Sequence, residues 1–223
     1  TAHGLAPTSR MLFHGPPGNG KTKAAEALAT ALALPFYYVT IDGLVAYRLG
    51  ETGANLRKAF DFASGHCGVL FFDELDALAK DRDDDHDVGE ARRIVNSLLQ
   101  ILDSEVEPPE GGERPIVIAA TNAGAMIDRA VWRRFDLAVE FANPDEAMAR
   151  EYLRRRFSGA FDLAPPTTYG GNYPVEATNC VSMAGLERAV AIAQKAAVLD
   201  GRRVVSDKEL TDAIMRCKDR VSD

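Results

Sequence analysis

Eight residues constrain this chain more than any others: Gly15-Pro-Pro-Gly-Asn-Gly-Lys-Thr22. They follow an apolar stretch at Met11–His14 and open a run, Thr22–Ala33, in which Ala24, Ala25, Leu28, Ala31 and Leu32 recur at helical spacing. A GxxxxGK[ST] pattern between a strand and a helix is a phosphate cradle. In it Pro17, Gly18, Asn19 and Gly20 form a turn whose backbone N–H groups face inward, and the helix N-terminus adds partial positive charge. Lys21 reaches the β- and γ-phosphates, and the Thr22 hydroxyl is a ligand for Mg2+. A Gly/Pro-rich turn without a ligand is the alternative.

A second segment supplies what such a cradle lacks. Val69-Leu-Phe-Phe-Asp73-Glu74 is a buried strand running into two adjacent carboxylates, and a strand beside the phosphate-loop strand would deliver both to the same place. Asp73 is the candidate holder of hydrated Mg2+, and Glu74 the candidate general base on the attacking water. Without the phosphate loop, the pair would read as a helix cap.

The rest of the chain supports one architecture. Short apolar runs at Met11–His14, Phe36–Ile41, Val69–Phe72, Ile116–Ala120 and Leu137–Phe141 alternate with helical periodicity at Thr22–Ala33, Asn55–Ala63 and Glu90–Leu102. That alternation predicts an α/β fold, a parallel sheet with helices on both faces. After Asn143–Pro144 the pattern turns purely helical, at Asp145–Phe157, Met183–Leu199 and Asp207–Cys217, with Asp162–Asn179 as a loop. The predicted organisation is a large α/β subdomain over residues 1–144 and a small helical lid over 145–223.

Composition narrows the partners. A net charge of −7 and a pI near 5.2 argue against a surface built to neutralise nucleic-acid backbones. Three cysteines, Cys67, Cys180 and Cys217, stand apart without metal-ligand spacing and predict reduced thiols in a cytoplasmic compartment. There is no apolar run long enough to cross a membrane, and the absence of an initial Met suits a piece of a longer chain. The acidic run Asp81–Asp87 is not an EF-hand: the sixth loop position holds His86 and the twelfth Arg92. It reads as a solvated loop.

Four segments taken together, GPPGNGKT, FFDELDAL (71–78), AATN (119–122) and Trp132-Arg-Arg-Phe-Asp136, resemble the AAA family, in the classical branch of AAA+ P-loop ATPases, over nearly the whole chain. The resemblance implies ATP and Mg2+ as ligands and a homo-oligomeric, hexameric ring as the active form. It implies that Asn122 senses the γ-phosphate and orients the water, although Asn is also a favoured turn residue. It makes Arg134, with Arg133 as the second, an arginine finger supplied to the neighbouring subunit; from the residues alone, a solvated surface pair is an equal reading. The small residues Ala184 and Gly185 match the start of a lid helix that approaches the nucleoside, and ordinary helix packing explains them as well. Leu186 stands where other branches carry a second-sensor arginine.

The resemblance also places a central pore loop within Asp42–Phe60, with Leu49 and Gly50 matched, Arg48 where an aromatic residue would stand and Tyr47 one place earlier. Arg92 and Arg93 fall on a helix that nears the neighbouring protomer in the family, but pairing with Asp87 or Glu90 is the favoured reading. The implied function is ATP-driven remodelling of a protein client, reached directly or through an adaptor. A nucleic-acid motor and a nucleotide-dependent scaffold are the alternatives.

Overall fold

The computed structural model of the protein describes residues 8–40, 51–78, 97–103, 114–157, 162–163 and 181–218. Tyr47, Arg48, Leu49 and Gly50, the run Asp81–Asp87, Arg92 and Arg93, Cys180 and residues 164–179 lie outside them. The chain divides into two compact units, Thr1–Gly15 with Lys21–Phe141, and Pro16–Gly20 with Ala142–Asp223.

The first unit is built on five short strands: β1 (Arg10–His14), β2 (Phe36–Val39), β3 (Val69–Phe72), β4 (Ile116–Thr121) and β5 (Leu137–Glu140). All neighbours pair in parallel, in the order β2-β3-β4-β1-β5. Side chains alternate across a strand, so each strand sends residues to two cores. Leu12, Leu70, Phe72, Val117 and Ala119 meet Leu56, Phe60 and Ala63 of α2 (Glu51–Gly65) and the helical residues 97–103, here α3. Phe13, Val69, Phe71, Ile118 and Ala120 meet Ala25 and Ala29 of α1 (Lys21–Ala31). This two-sided burial explains why β3 reads as an unbroken apolar run, with all four residues buried. Phe71 and Phe72 are fully enclosed, each worth about 1.5–3 kcal/mol of transfer free energy.

The order corrects one expectation. The strand carrying Asp73 and Glu74 does not lie beside the phosphate-loop strand: β4 lies between β3 and β1, pairing with both. The parallel arrangement compensates, because β1, β3 and β4 all end at the same edge of the sheet, where ligands of open α/β sheets bind.

Helix α1 ends with a turn in which the Leu34 N–H donates to the Ala29 carbonyl at 2.9 Å. Ala33 takes the left-handed position there, with φ 54°, where glycine is the usual residue. Ala33 is exposed, so a change to glycine loses no packing and relieves the backbone strain. Ala33→Gly is expected to stabilise the unit by ~0.5–1 kcal/mol, read as a rise of a few degrees in melting temperature.

The second unit packs α5 (Glu146–Arg156), α6 (Met183–Leu199) and α7 (Asp207–Lys218) around Leu153, Leu186, Val190, Leu210 and Ile214; a short α4 (Arg129–Trp132) belongs to the first unit. Asp145 and Ser182 cap α5 and α6 by accepting the Met148 and Gly185 N–H groups. This unit is not purely helical. Asp162–Leu163 (β6) pairs in parallel with Val204–Val205 (β7), so the predicted loop begins with a strand. Two residues are too few to produce an alternation that a sequence could reveal.

Candidate functional site

Within the first unit, the ends of β1, β3 and β4 gather a set of polar groups. Gly15 closes β1 with φ 135°, and a Cβ there would stand 2.3 Å from the Phe141 carbonyl oxygen. No other residue fits that approach. Lys21, the first residue of α1, is buried, and its Nζ donates to the Gly15 carbonyl at 2.7 Å. Burial lowers the pKa of this ammonium, against the opposing pull of Asp73 and Asp76. A buried, charge-flanked cation is a strong anion receptor because little solvation remains to be lost.

Thr22 Oγ1 donates to Asp73 Oδ2 at 3.3 Å, so a hydroxyl and a carboxylate from two different segments converge. The Tyr38 hydroxyl donates to the same oxygen at 2.9 Å. Burial, then the bond to Asp73, pushes the Tyr38 phenol up to about 12. Asp73 Oδ1 accepts the Glu74 N–H at 2.9 Å. Glu74 itself is exposed and holds φ 54°, a left-handed conformation uncommon outside glycine.

At the end of β4, Thr121 is fully buried and its hydroxyl donates to Asp76 Oδ1 at 3.1 Å. The same oxygen accepts the Asn122 N–H at 3.0 Å. Asn122 is half-buried at the strand terminus.

Within the second unit, the loop Pro16–Gly20 meets the start of α6. The Gly18 carbonyl accepts the Ala184 N–H at 2.9 Å, and Asn19 Oδ1 accepts the Met183 N–H at 3.0 Å. Asn19 Nδ2 donates to Asn143 Oδ1 at 2.9 Å. Ala184 therefore lies against the phosphate loop. Gly185 has a packing reason of its own, since a Cβ there would lie 2.6 Å from Val181 Cγ1. Gly20 holds φ 87° and its Cβ position faces open space, which leaves the loop backbone accessible to a ligand.

The two arginines have different surroundings. All three nitrogens of the Arg134 guanidinium are used in its own unit: Nε and Nη2 on Asp103 Oδ2 at 2.8 and 2.7 Å, and Nη1 on the Ala130 carbonyl at 2.7 Å. Arg133 is exposed and has no side-chain partner among the described residues. Asp136 of the same motif accepts the Ser9 and Arg10 N–H groups and both Nε and Nη2 of Arg10. Burial alone would raise its carboxyl; those donors outweigh burial and hold it below the usual range. Asp136 thus pins the start of β5 to the start of β1.

These residues of the first unit fit a magnesium nucleotide. Thr22 and Asp73 offer two oxygens at one point, and Lys21 a desolvated cation. Among the described residues no group of three or more His, Cys, Asp or Glu could cage a metal unaided; Mg2+ characteristically takes one or two protein oxygens and fills its shell with waters and phosphates. Sequence reasoning missed Tyr38, Asp76 and Thr121. The available signal was a polar residue interrupting or ending an apolar run, as in Leu75-Asp76-Ala77-Leu78 and Ile118-Ala-Ala-Thr121.

Comparison with known proteins bears on the family and the fold. The sequence profile described as "ATPase family associated with various cellular activities (AAA)" matches residues 11–143. An AAA family ATPase of Sinorhizobium fredii, y4kL, is 42% identical over 215 residues, covering 95% of this chain and 61% of that protein. The peroxisomal ATPase PEX6 of Komagataella phaffii is 39% identical over 165 residues, 70% of this chain and 14% of PEX6. The chain thus spans about three-fifths of the first relative and a seventh of the second. In structure, the crystallised AAA domain of FIGL-1 superposes with a TM-score of 0.72 at 25% identity, over 94% of this chain and 71% of that one. Among the described residues no helix is long and apolar enough to cross a membrane.

Proposed function

Since this chain belongs to the AAA family of ATPases, we propose that it hydrolyses ATP with Mg2+ and uses the cycle, in a hexameric ring of identical subunits, to remodel a protein client. The observation that carries the reading is the convergence of Thr22 Oγ1 on Asp73 Oδ2 beside a buried Lys21, with Glu74 as the next residue. Two chain segments bring a cation, a metal-binding pair and a base to one strand edge, and no simpler chemistry uses all of them.

In this reading Lys21 binds the β- and γ-phosphate oxygens and exchanges its bond to the Gly15 carbonyl for them. Thr22 Oγ1 and, through water, Asp73 would hold Mg2+, which supplies charge neutralisation across the phosphates. Glu74 accepts a proton from water as its oxygen bonds to the γ-phosphorus; the bond from that phosphorus to the bridging oxygen breaks, and ADP and phosphate leave. Asn122 orients the water. Arg133 and Arg134 lie on the element that would face a neighbouring subunit's phosphates, as in the family's ring. Ala184 borders the loop that holds the phosphates, with Gly185 the next residue, which supports a nucleoside-side role for the start of α6. Work on a polypeptide client at a central pore would fall to the Tyr47–Gly50 segment, which lies outside the described residues.

Calorimetry with ATP and Mg2+ tests the first step. The wild-type chain is expected to bind, and Lys21→Ala to lose about 10–100-fold in affinity, the worth of one charge-assisted hydrogen bond or two. Hydrolysis per subunit should also rise with protein concentration as rings form. No heat with the wild-type protein would overturn the reading.

A further inference from the structure

We infer that Asp76 is a positioning residue whose buried carboxylate locks the Asn122 turn onto the segment bearing Asp73 and Glu74, so that base and sensor are set as one unit. The inference rests on the roles given above to Glu74 and Asn122.

Asp76 lies in the short 3-10 turn Leu75–Leu78 and is 6% exposed. A carboxylate is costly to bury there unless it is bonded. Its Oδ1 accepts both the Thr121 hydroxyl and the Asn122 N–H, and the Thr121 oxygen accepts the Ala123 N–H at 3.2 Å. One carboxylate oxygen thereby fixes three consecutive residues at the end of β4. On the other side of Glu74, Asp73 is fixed by Thr22, by Tyr38 and by the Glu74 N–H. Glu74 is therefore held between two anchors in its left-handed conformation. A strained residue of this kind persists only where its surroundings over-determine it. Releasing the Asp76 anchor frees Glu74 and Asn122 together, while Lys21 and the loop Gly15–Gly20 keep their own bonds.

Asp76 also brings a negative charge close enough to act on Lys21, which gives the test its sign. An electrostatic role and a positioning role predict opposite results for Asp76→Asn, which removes the charge and keeps an Oδ1 able to accept both bonds. For positioning, Asp76→Asn retains wild-type kcat, with ATP affinity equal or tighter. Asp76→Ala loses about tenfold or more in kcat, the usual consequence of a small misplacement of reacting groups, with affinity nearly unchanged. Thr121→Val follows Asp76→Ala, and Thr121→Ser restores the wild-type value. Amide hydrogen exchange of the nucleotide-free protein is the independent readout: protection at Asn122 and Ala123 falls in Asp76→Ala and Thr121→Val and persists in Asp76→Asn and Thr121→Ser.

Asp76→Asn as slow as Asp76→Ala, or unchanged exchange in Asp76→Ala, overturns the inference. Should Asp76→Ala fail to fold, the Asp76→Asn result and the two Thr121 variants decide alone. The wider reading fails separately: it falls if Glu74→Gln leaves turnover intact, whereas the positioning role falls if Glu74→Gln is inactive and Asp76→Ala is not impaired.

Discussion

Glu74→Gln is expected to bind ATP with an affinity within about twofold of the parent chain and to turn it over ~10²–10⁴-fold more slowly, the usual contribution of a positioned general base. The expectation follows from where Glu74 sits. It is exposed at the end of a fully buried strand, and its backbone N–H, not its side chain, is tied to Asp73. The carboxylate therefore carries no hydrogen bond among the described residues, and Gln has nearly its shape without its basicity. Gln also inherits the same left-handed backbone at φ 54°, so the strain of about 1–3 kcal/mol stays in place and the melting temperature should not move. Phosphate release at saturating ATP and Mg2+ measures the loss, and calorimetry measures the retained binding. A variant that hydrolyses at the parent rate would remove Glu74 from the chemistry; one that melts early would mean the side chain holds the turn.

The sheet is legible in the sequence because physical periodicity is strongest where burial is two-sided. Val69–Phe72 and Ile116–Ala120 have no polar residue to spoil the pattern, and α6 appears at its predicted limits because its apolar residues keep helical spacing from Met183 to Leu199. Strand order is not legible in the same way. Nothing in the apolar content of β4 says that it inserts between β1 and β3, since pairing is a choice among nearly equivalent edges. The site divides along the same line. Gly15–Thr22 and Asp73–Glu74 stand out because phosphate and metal chemistry needs particular residues at particular spacings. Asp76 and Thr121 do not, because their meaning lies in a contact across 45 residues of sequence. The fork of Arg134 on Asp103 is equally invisible, as its partner lies 31 residues upstream.

That fork sets up the other large effect. If rings form and a guanidinium crosses to the neighbour's nucleotide, Arg133→Ala is expected to lower turnover by ~10³–10⁵-fold, the worth of an arginine finger in related phosphoryl transfer. Arg133 is the stronger candidate of the two on physical grounds: it is exposed and has no partner to abandon among the described residues, whereas Arg134 must give up a two-nitrogen contact with Asp103 and one with the Ala130 carbonyl. The Arg134–Asp103 pair is partly exposed on both sides and worth at most about 1 kcal/mol, so Arg134→Ala should also lower turnover, by loosening the turn that aims Arg133. Asp103→Ala separates these roles, because it unfastens Arg134 while leaving both guanidinium groups present. A brace predicts that Asp103→Ala mimics Arg134→Ala; a second finger predicts that it does not. Mixing supplies the decisive control. Arg133→Ala subunits retain Lys21 and can hold nucleotide, and Lys21→Ala subunits retain Arg133 and can serve a neighbour. Each is inactive alone, and a ring containing both has interfaces where the two intact parts meet. Hydrolysis should therefore reappear and peak at an intermediate ratio of the two. Silence at every ratio, with rings verified by light scattering, would place Arg133 in its own subunit's structure and leave catalysis in trans without a donor.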